Sequence, residues 1–192
     1  MGKIVVTTNM SLDGIVQDPD GQEGFRHGGW FGQFGGKDLE SWASVETAEA
    51  IEAEALLLGR KSDSWFGTRW NERTGVWADR LKLLPKYVVS STVTEGVWVN
   101  STVLSGDLVK EVANLKNEID GDILVYASYQ LVRALIESDL VDEFRLVIFP
   151  VVLGEGERLF GQTNELTQLR LVHSETVGEG LPLLTYEVVR AA

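Results

Sequence analysis

Three short segments of the chain combine small, hydroxyl and cationic residues in a way that suits the binding of an anion. They are Gly59-Arg60-Lys61-Ser62, Ser90-Ser91-Thr92 and Ala127-Ser128, and each follows an apolar run. Arginine and lysine neutralise an anion, and hydroxyl groups donate hydrogen bonds to it. A helix that begins after a short turn points its free N–H groups and the positive end of its dipole the same way. The chemistry that these segments suit is phosphate binding.

Each segment also has an ordinary structural explanation. Strand-to-helix junctions occur throughout α/β proteins without binding a ligand, and a basic turn often pairs with nearby carboxylates. The three segments together favour a nucleotide more than any one of them does, because the carboxyl ends of parallel strands meet at one edge of a sheet.

The hydrophobic pattern predicts the elements that position these segments. A buried strand, a two-residue turn and a helix capped by Ser128 are predicted over 121–136, where the apolar run gives way to helical spacing. Further strands are predicted at 3–9, 55–58, 86–90, 97–99 and 141–149, and further helices at 37–54, from 59 through 66, before Pro85 and at 107–119. The tail predicts an antiparallel hairpin of 168–176 and 183–189.

Two regions near strand ends carry carboxyl and aromatic groups. Asp13 lies in an Asp-Gly bend after the first strand, and its carboxyl group either takes part in chemistry or forms the turn. Residues 17–37 are rich in glycine and include Trp30, so we expect a long loop. Exposed aromatic rings in such a loop could stack on a planar substrate, and a packed surface loop is the alternative.

Composition excludes several classes of function. The chain has no cysteine and two histidines, which argues against thiol chemistry and against a metal centre. Its formal charge of −12 opposes binding to nucleic acid or to an anionic membrane. No apolar run approaches the ~20 residues of a membrane span, and the sequence predicts a cytoplasmic protein.

The order of several motifs gives a resemblance to a known family. The motifs are Ser11-Leu12-Asp13-Gly14, Leu57-Leu58-Gly59-Arg60-Lys61-Ser62, Lys86-Tyr87-Val88-Val89-Ser90-Ser91-Thr92, and Leu140-Val141-Asp142-Glu143 leading to Pro150-Val151-Val152-Leu153-Gly154-Glu155-Gly156. In this order the chain resembles the dihydrofolate-reductase-like proteins related to the reductase domain of bacterial riboflavin biosynthesis. The resemblance implies one α/β domain over 1–192, with a mostly parallel central sheet, an antiparallel C-terminal hairpin and flanking helices.

The resemblance also implies that NADPH lies across the strand ends. The residues that it assigns to the cofactor are Gly59, Arg60, Lys61, Ser62, Ser90, Ser91, Thr92, Ala127, Ser128 and Leu131. Trp30, Trp65 and Gly154 would border the small-molecule substrate. Family members usually carry glycine where this chain has Ala127, whose methyl group lies where the backbone approaches phosphate and disfavours a positive φ.

The function that the resemblance implies is an NADPH-dependent reductase acting on a C=N or C=O carbon, as in 5-amino-6-(5-phosphoribosylamino)uracil reductase or dihydrofolate reductase. Asp13 or Glu155 would supply the proton, since a carboxyl group screened by tryptophans has a raised pKa. The alternatives are a non-catalytic nucleotide-binding or protein-interaction member of the same fold and, less favoured, a flavin-dependent reductase. A homodimer formed through a C-terminal strand or the apolar helix is also predicted.

Overall fold

The computed structural model describes residues 1–161 and 166–190 and has a mixed α/β fold, in which eight strands form a sheet flanked by helices. In chain order the elements are β1 (Lys3–Ser11), α1 (Trp30–Gly35), α2 (Asp38–Glu52), β2 (Ala55–Gly59), α3 (Arg60–Trp70), α4 (Val76–Leu83), β3 (Lys86–Val89), β4 (Ser101–Leu104), α5 (Leu108–Glu118), β5 (Asp122–Tyr126), α6 (Tyr129–Glu137), β6 (Glu143–Phe149), β7 (Gln168–Val177) and β8 (Leu181–Val189). The chain divides into two compact units, one of residues 1–5 and 46–142 and the other of residues 6–45 and 143 onwards.

The first unit contains a parallel set of strands in the order β4-β3-β2-β5. Gly59 at the end of β2 is level with Val89 at the end of β3, and Leu56 is level with Leu124 of β5. The strands form because their apolar, branched residues are covered on both faces. The three predicted anion-binding segments therefore all follow strand ends on one edge of this sheet.

The second unit contains the antiparallel strands β6-β8-β7. Gly178 makes the turn between β7 and β8 with a φ of 63°, a conformation that glycine adopts without steric cost. The core of this unit is an apolar cluster of Trp30, Trp42, Val147, Phe149, Val177, Leu181 and Leu183. The predicted C-terminal hairpin is confirmed.

Two predicted elements are wrong. Residues 97–99 do not form a strand, because the N–H groups of Val97 and Trp98 donate to the carboxylate of Asp63 at 2.7 and 3.1 Å. The strand of this region is β4, which begins at Ser101. The loop predicted over 17–37 includes the short helix α1, which begins at the buried residue Trp30. Across the described ranges, no helix is both long and apolar enough to cross a membrane.

Candidate functional site

Two strand-to-helix junctions of the first unit are joined by a pair of serine hydroxyl groups. The N–H group of Gly59, where β2 passes into α3, donates to Ser128 Oγ at 3.0 Å. The N–H group of Ser128, where β5 passes into α6, donates to Ser62 Oγ at 3.1 Å. The two hydroxyl groups thus fix the starts of α3 and α6 beside each other.

Both hydroxyl groups keep a proton to donate. A serine hydroxyl has one donor and two acceptor positions, and the hydrogen bonds above use acceptor positions only. Within the described ranges neither hydroxyl proton has an acceptor. Ser128 is the N-cap residue of α6, as predicted, but its side chain accepts from Gly59 and makes no cap hydrogen bond to its own helix. The junction therefore combines two hydroxyl donors with two helix N-termini, an arrangement that suits an anion.

The turn between β5 and α6 has left-handed backbone conformation at two successive residues. Ala127 has a φ of 49° and Ser128 a φ of 56°. Alanine therefore adopts here the positive φ that it was expected to disfavour. The conformation costs roughly 1 kcal/mol for a residue with a Cβ atom, and the exposed methyl group of Ala127 makes no contact that prevents it.

Two cations lie at the start of α3. The side chains of Arg60 and Lys61 are exposed, and among the described residues neither has an ion-pair partner. Within the described residues, this basic turn therefore does not form the ion pairs with nearby carboxylates that the alternative requires. Unpaired cations beside two helix N-termini leave a positive region in a chain of net charge −12.

The remaining predicted cofactor residues surround the same edge. Ser91 and Thr92 are exposed after β3, and Ser90 Oγ accepts from the N–H group of Thr92 at 3.2 Å in a small turn. Leu131 lies in the first turn of α6, and its side chain is buried. A Cβ atom built on Gly59 would lie 3.9 Å from the Cβ atom of Leu131 and 3.8 Å from that of Ser128, so these three residues are close neighbours.

In the second unit, the carboxylate of Asp13 connects two loops through hydrogen bonds. Its Oδ1 atom accepts from Ser11 Oγ at 2.7 Å and from the Leu153 N–H group at 3.1 Å, and its Oδ2 atom accepts from the Gly154 N–H group at 2.9 Å. Burial acts to raise the pKa of Asp13, but these hydrogen bonds outweigh it and lower the pKa to about 2. The expected raised pKa of Asp13 is wrong, because the carboxylate is stabilised by three donors.

Glu155 lies in the next part of the same loop and faces solvent. Its side chain is 51% exposed, and its Oε1 atom is 2.7 Å from Nε of Arg26. The expectation that tryptophans screen this carboxyl group is wrong. Gly154 beside it has a φ of 81°, which requires glycine, and a Cβ atom there would meet no other atom within 4 Å. In the part of the chain that the structure describes, no group of carboxyl and imidazole side chains could hold a metal ion.

The two tryptophans predicted at the substrate differ in exposure. Trp30 is completely buried, with its indole N–H group donating to the Gln17 carbonyl at 2.9 Å and its ring 5.3 Å from Phe149. It is a core residue and offers no exposed ring face. Trp65 is partly buried on α3, where it packs edge-on against Phe66 at 4.8 Å and under the guanidinium group of Arg69.

Sequence reasoning missed a carboxyl group on α2. Burial raises the pKa of Glu46 to about 8, and repulsion from Glu49 adds to this effect. On this helix the apolar residue Ile51 is 54% exposed, whereas the carboxyl residue Glu49 is buried. Glu49, Ala50 and Ala53 are buried at the C-terminal end of this helix, so a carboxyl group lies on the buried face where the pattern of a helix predicts apolar residues.

The chain is similar to several known proteins in sequence or in fold. The chain is 34% identical over 198 residues to YyaP of Bacillus subtilis strain 168, an uncharacterised protein, with 96% of this chain and 94% of YyaP covered. A protein of Shewanella sp. PV-4 that is provisionally assigned to riboflavin biosynthesis superposes with a TM-score of 0.75 at 22% identity, over 98% of this chain and 99% of that one. Dihydrofolate reductase of Enterococcus faecalis, in complex with NADP(H), superposes with a TM-score of 0.60 at 14% identity, over 97% and 96% of the two chains.

The dihydrofolate-reductase-like fold expected from the sequence is therefore confirmed. The family model described as the RibD C-terminal domain matches residues 2–183, which is nearly the whole chain. This chain belongs to the RibD C-terminal domain family.

Proposed function

We propose that the chain is an NADPH-dependent reductase that delivers hydride to a C=N or C=O carbon of a small substrate, of the kind that 5-amino-6-(5-phosphoribosylamino)uracil reductase or dihydrofolate reductase acts on. The observation that carries the proposal is the joined pair of junctions at Gly59 and Ser128, with two hydroxyl donors and two helix starts. Family membership and the NADP(H) complex of the Enterococcus reductase support the choice of cofactor.

The residues of the first unit fit the phosphates of such a cofactor. Ser62 and Ser128 would donate their hydroxyl protons, and Arg60 and Lys61 would neutralise charge. Ser90, Ser91 and Thr92 would contact the adenosine half from the next strand end. Ala127 already has the left-handed conformation that glycine would adopt at this position. Compared with glycine, Ala127 would therefore present only an additional methyl group to a bound phosphate.

The residues of the second unit would serve the substrate. The cofactor supplies the hydride, and the protein orients the reacting carbon and provides a route for one proton. Glu155 is half exposed to solvent, so it stays in the proposal as the group that relays the proton. Asp13 is proposed as a positioning residue that holds the Leu153–Gly154 turn, since its carboxylate is engaged by three donors.

The test is a titration with NADPH and NADH followed by nicotinamide fluorescence. We expect NADPH to bind at micromolar concentration and more tightly than NADH, because Arg60 and Lys61 have no ion-pair partner among the described residues and could meet an additional phosphate. Binding of neither dinucleotide at millimolar concentration would refute the proposal. Absorbance at the nicotinamide band then reports turnover with pterins, aminouracil ribitol compounds and simple carbonyl compounds.

A second candidate is a non-catalytic nucleotide-binding or protein-interaction member of the family. The low pKa of Asp13 favours it, since a carboxyl group that is ionised at neutral pH is not an acid catalyst there. This candidate predicts that NADPH binds and is not oxidised with any substrate of the panel. Oxidation with one of them would exclude it.

A further inference from the structure

A group of aromatic side chains in the first unit lies at the same edge of the sheet as the two serine junctions. Tyr126 is the last residue of β5 and directly precedes Ala127. The ring of Trp77 on α4 is 6.3 Å from the ring of Tyr126 and 4.5 Å from that of Trp70 at the end of α3. Both tryptophans are partly buried against the apolar cluster that covers this face of β2 and β5. The three rings form an aromatic wall beside the proposed cofactor site.

Two indole N–H groups of the aromatic wall are buried without an acceptor. Within the described residues, Nε1 of Trp70 and Nε1 of Trp77 have no hydrogen-bond partner. The two rings meet edge to face at 78°, and such a contact can direct the N–H group of only one ring at the face of the other. Because a buried donor without an acceptor costs free energy, an acceptor atom of a ligand would bind favourably here.

Helices α2 and α4 run side by side in the same direction. Each enters its strand through two residues, 53–54 and 84–85, and the strands β2 and β3 that follow are parallel neighbours. The guanidinium group of Arg80 on α4 donates to the carbonyl groups of Ala50 and Ala53 at 2.9 and 2.5 Å. The carboxyl end of α2 and the second half of α4 therefore lie at the same level.

One turn before this contact, each helix carries a polar group on the side that faces the other helix. Trp77 precedes Arg80 by three residues and Glu46 precedes Ala50 by four, and residues at these spacings share a side of a helix. Glu46 and Trp77 thus lie at one level, towards the carboxyl edge of the sheet, where Trp77 contacts Tyr126. Glu46 is partly exposed, so a ligand can reach this place from solvent.

The Glu46 carboxyl group is a third donor at this place. The other titratable groups on the surrounding elements are Glu49 on α2, Arg73 before α4, Arg80 on α4 and Tyr126 at the end of β5. Burial raises the pKa of Glu46 to about 8 and repulsion from Glu49 adds to this effect, so Glu46 is protonated at pH 7. Both arginines are engaged elsewhere, Arg80 by the carbonyl groups of α2 and Arg73 over the Trp70 ring at 4.2 Å.

We propose that the aromatic wall and Glu46 form a binding pocket for a neutral planar heterocycle whose edge carries only hydrogen-bond acceptors, such as carbonyl oxygens and ring nitrogens. The heterocycle stacks on an indole face, and its acceptors receive hydrogen bonds from Trp70, Trp77 and the protonated carboxyl group of Glu46. All three protein groups are donors, so a ligand edge that bears N–H or ammonium groups would leave them without acceptors.

The pocket would hold the substrate of the proposed function, on which this role rests, and the heterocycle would be the part that is reduced. Because both Nε1 atoms are covered by neighbouring atoms, binding requires the indole side chains to turn. Changes of rotamer at a binding site are common and need no movement of the backbone. Binding itself is tested without NADPH.

Calorimetric titration with 1,3-dimethyllumazine tests the pocket, because this neutral two-ring heterocycle carries carbonyl and ring-nitrogen acceptors and no N–H group. Trp77→Phe removes one donor, keeps an aromatic ring and should weaken binding about fivefold. Trp98→Phe is the matched control, since Nε1 of Trp98 is also buried without an acceptor among the described residues but its ring lies beside Lys86, at the amino end of β3. It should leave the dissociation constant unchanged, and equal effects of the two variants would overturn the proposal.

The pH dependence of binding gives a readout that a merely structural role would not move. Because the pKa of Glu46 is about 8, its O–H donor is present at pH 7 and mostly lost at pH 9, so the dissociation constant for the probe should rise about tenfold between these values. Glu46→Gln keeps a donor and does not titrate, and it should bind equally at both values. Equal binding by the unmodified chain at pH 7 and 9, or the same tenfold loss in Glu46→Gln, overturns the proposal.

The dinucleotide titration separates this pocket from the proposed function. Probe binding with these variant effects, but no binding of NADPH, would remove the proposed function and leave the pocket. NADPH binding without heat from the probe at up to about 1 mM would remove the pocket and leave the proposed function. The probe should also bind to the chain saturated with NADPH, and competition between the two would place the probe at the cofactor site and overturn the proposal.

Discussion

The turn after β5 in the first unit and the turn after β1 in the second use similar residues in opposite ways. Both follow a strand end, and in both a serine side chain hydrogen-bonds across the turn. At Ser128 the hydroxyl group accepts from Gly59 and still has a proton to donate. At Asp13 the carboxylate accepts from Ser11, Leu153 and Gly154 and has no proton to give.

The difference shows why residue type alone does not identify a catalytic group. A carboxylate that satisfies two backbone N–H groups is stabilised in its charged form and serves as a structural tie. A hydroxyl group that accepts one hydrogen bond keeps its donor and remains able to bind an anion. This contrast supports the proposal that the first turn binds the ligand, whereas the second positions a loop.

Reversing the charge of the first turn should give the largest effect. In the double variant Arg60→Glu, Lys61→Glu, two unpaired cations become anions beside the predicted phosphate position. Since a hydrogen bond to a charged group is worth about 1.5 to 3 kcal/mol, we expect NADPH affinity to fall about 100-fold or more. Nicotinamide fluorescence measures the dissociation constant.

The matched control is Lys3→Glu, Lys110→Glu, which alters two exposed lysines of the same unit and changes net charge equally. It should weaken NADPH binding no more than about twofold, because salt screens exposed charges that do not contact the ligand. If both double variants lost affinity equally, the effect would be one of net charge, and the assignment of Arg60 and Lys61 would fail.

Removing the Asp13 carboxylate from the turn after β1 should reduce the free energy of unfolding. Asp13→Ala removes the acceptor of the Leu153 and Gly154 N–H groups, which water can partly replace, and should lower the free energy of unfolding by about 1 to 2 kcal/mol. The pKa of Asp13 is lowered in the folded protein, so its contribution is present above about pH 4 and is lost as the pH falls towards 2. Urea unfolding at pH 7, 4 and 3 measures this loss.

Asp13→Asn separates positioning from proton transfer. It keeps one acceptor oxygen and does not titrate, so its stability should approach that of the unmodified chain as the pH falls. If Asp13 only positions the loop, the variant's pH profile of kcat keeps its shape. Disappearance of an acidic limb from that profile would restore Asp13 as the proton donor.

Glu46 in the first unit should show the opposite pH dependence to Asp13. Its pKa is raised to about 8, so its contribution to stability is complete below about pH 4.5 and is lost as the pH rises through 8. Glu46→Gln keeps the neutral shape and should exceed the unmodified chain in stability by about 1 to 2 kcal/mol at pH 9, with no difference at pH 4.5. Equal stability of the two proteins at pH 9 would show that Glu46 ionises without cost.

Most of the fold could be predicted because its signals are local. Strands such as 55–58 are short apolar runs between polar segments, and the C-terminal hairpin alternates around a glycine turn. The segment 97–99 was mistaken for a strand because its apolar residues pack around Asp63, a contact 34 residues away in sequence that no local pattern contains.

The site could be predicted only in outline. The residue types that follow Gly59 and Tyr126 indicated an anion site. The sequence did not show that the Ser128 N–H group donates to Ser62 Oγ, because these positions are 66 residues apart. The role of Asp13 depends on N–H groups 140 and 141 residues away, and the burial of Trp30 depends on Phe149. Contacts of that range follow from tertiary packing, which a single sequence does not display.

The smallest predicted effect concerns Ala127 at the first turn. Because Ala127 has a φ of 49°, Ala127→Gly removes left-handed strain and should raise the free energy of unfolding by no more than about 0.5 kcal/mol, net of the entropy of the unfolded chain. The same change at Ala113, inside α5, should lower it by about 1 kcal/mol. Ala127→Gly should also tighten NADPH binding by no more than a few fold, since the backbone conformation is already in place and only the methyl group is lost. Weaker NADPH binding together with higher stability would mean that the methyl group contacts the ligand favourably and that the turn does not approach a phosphate.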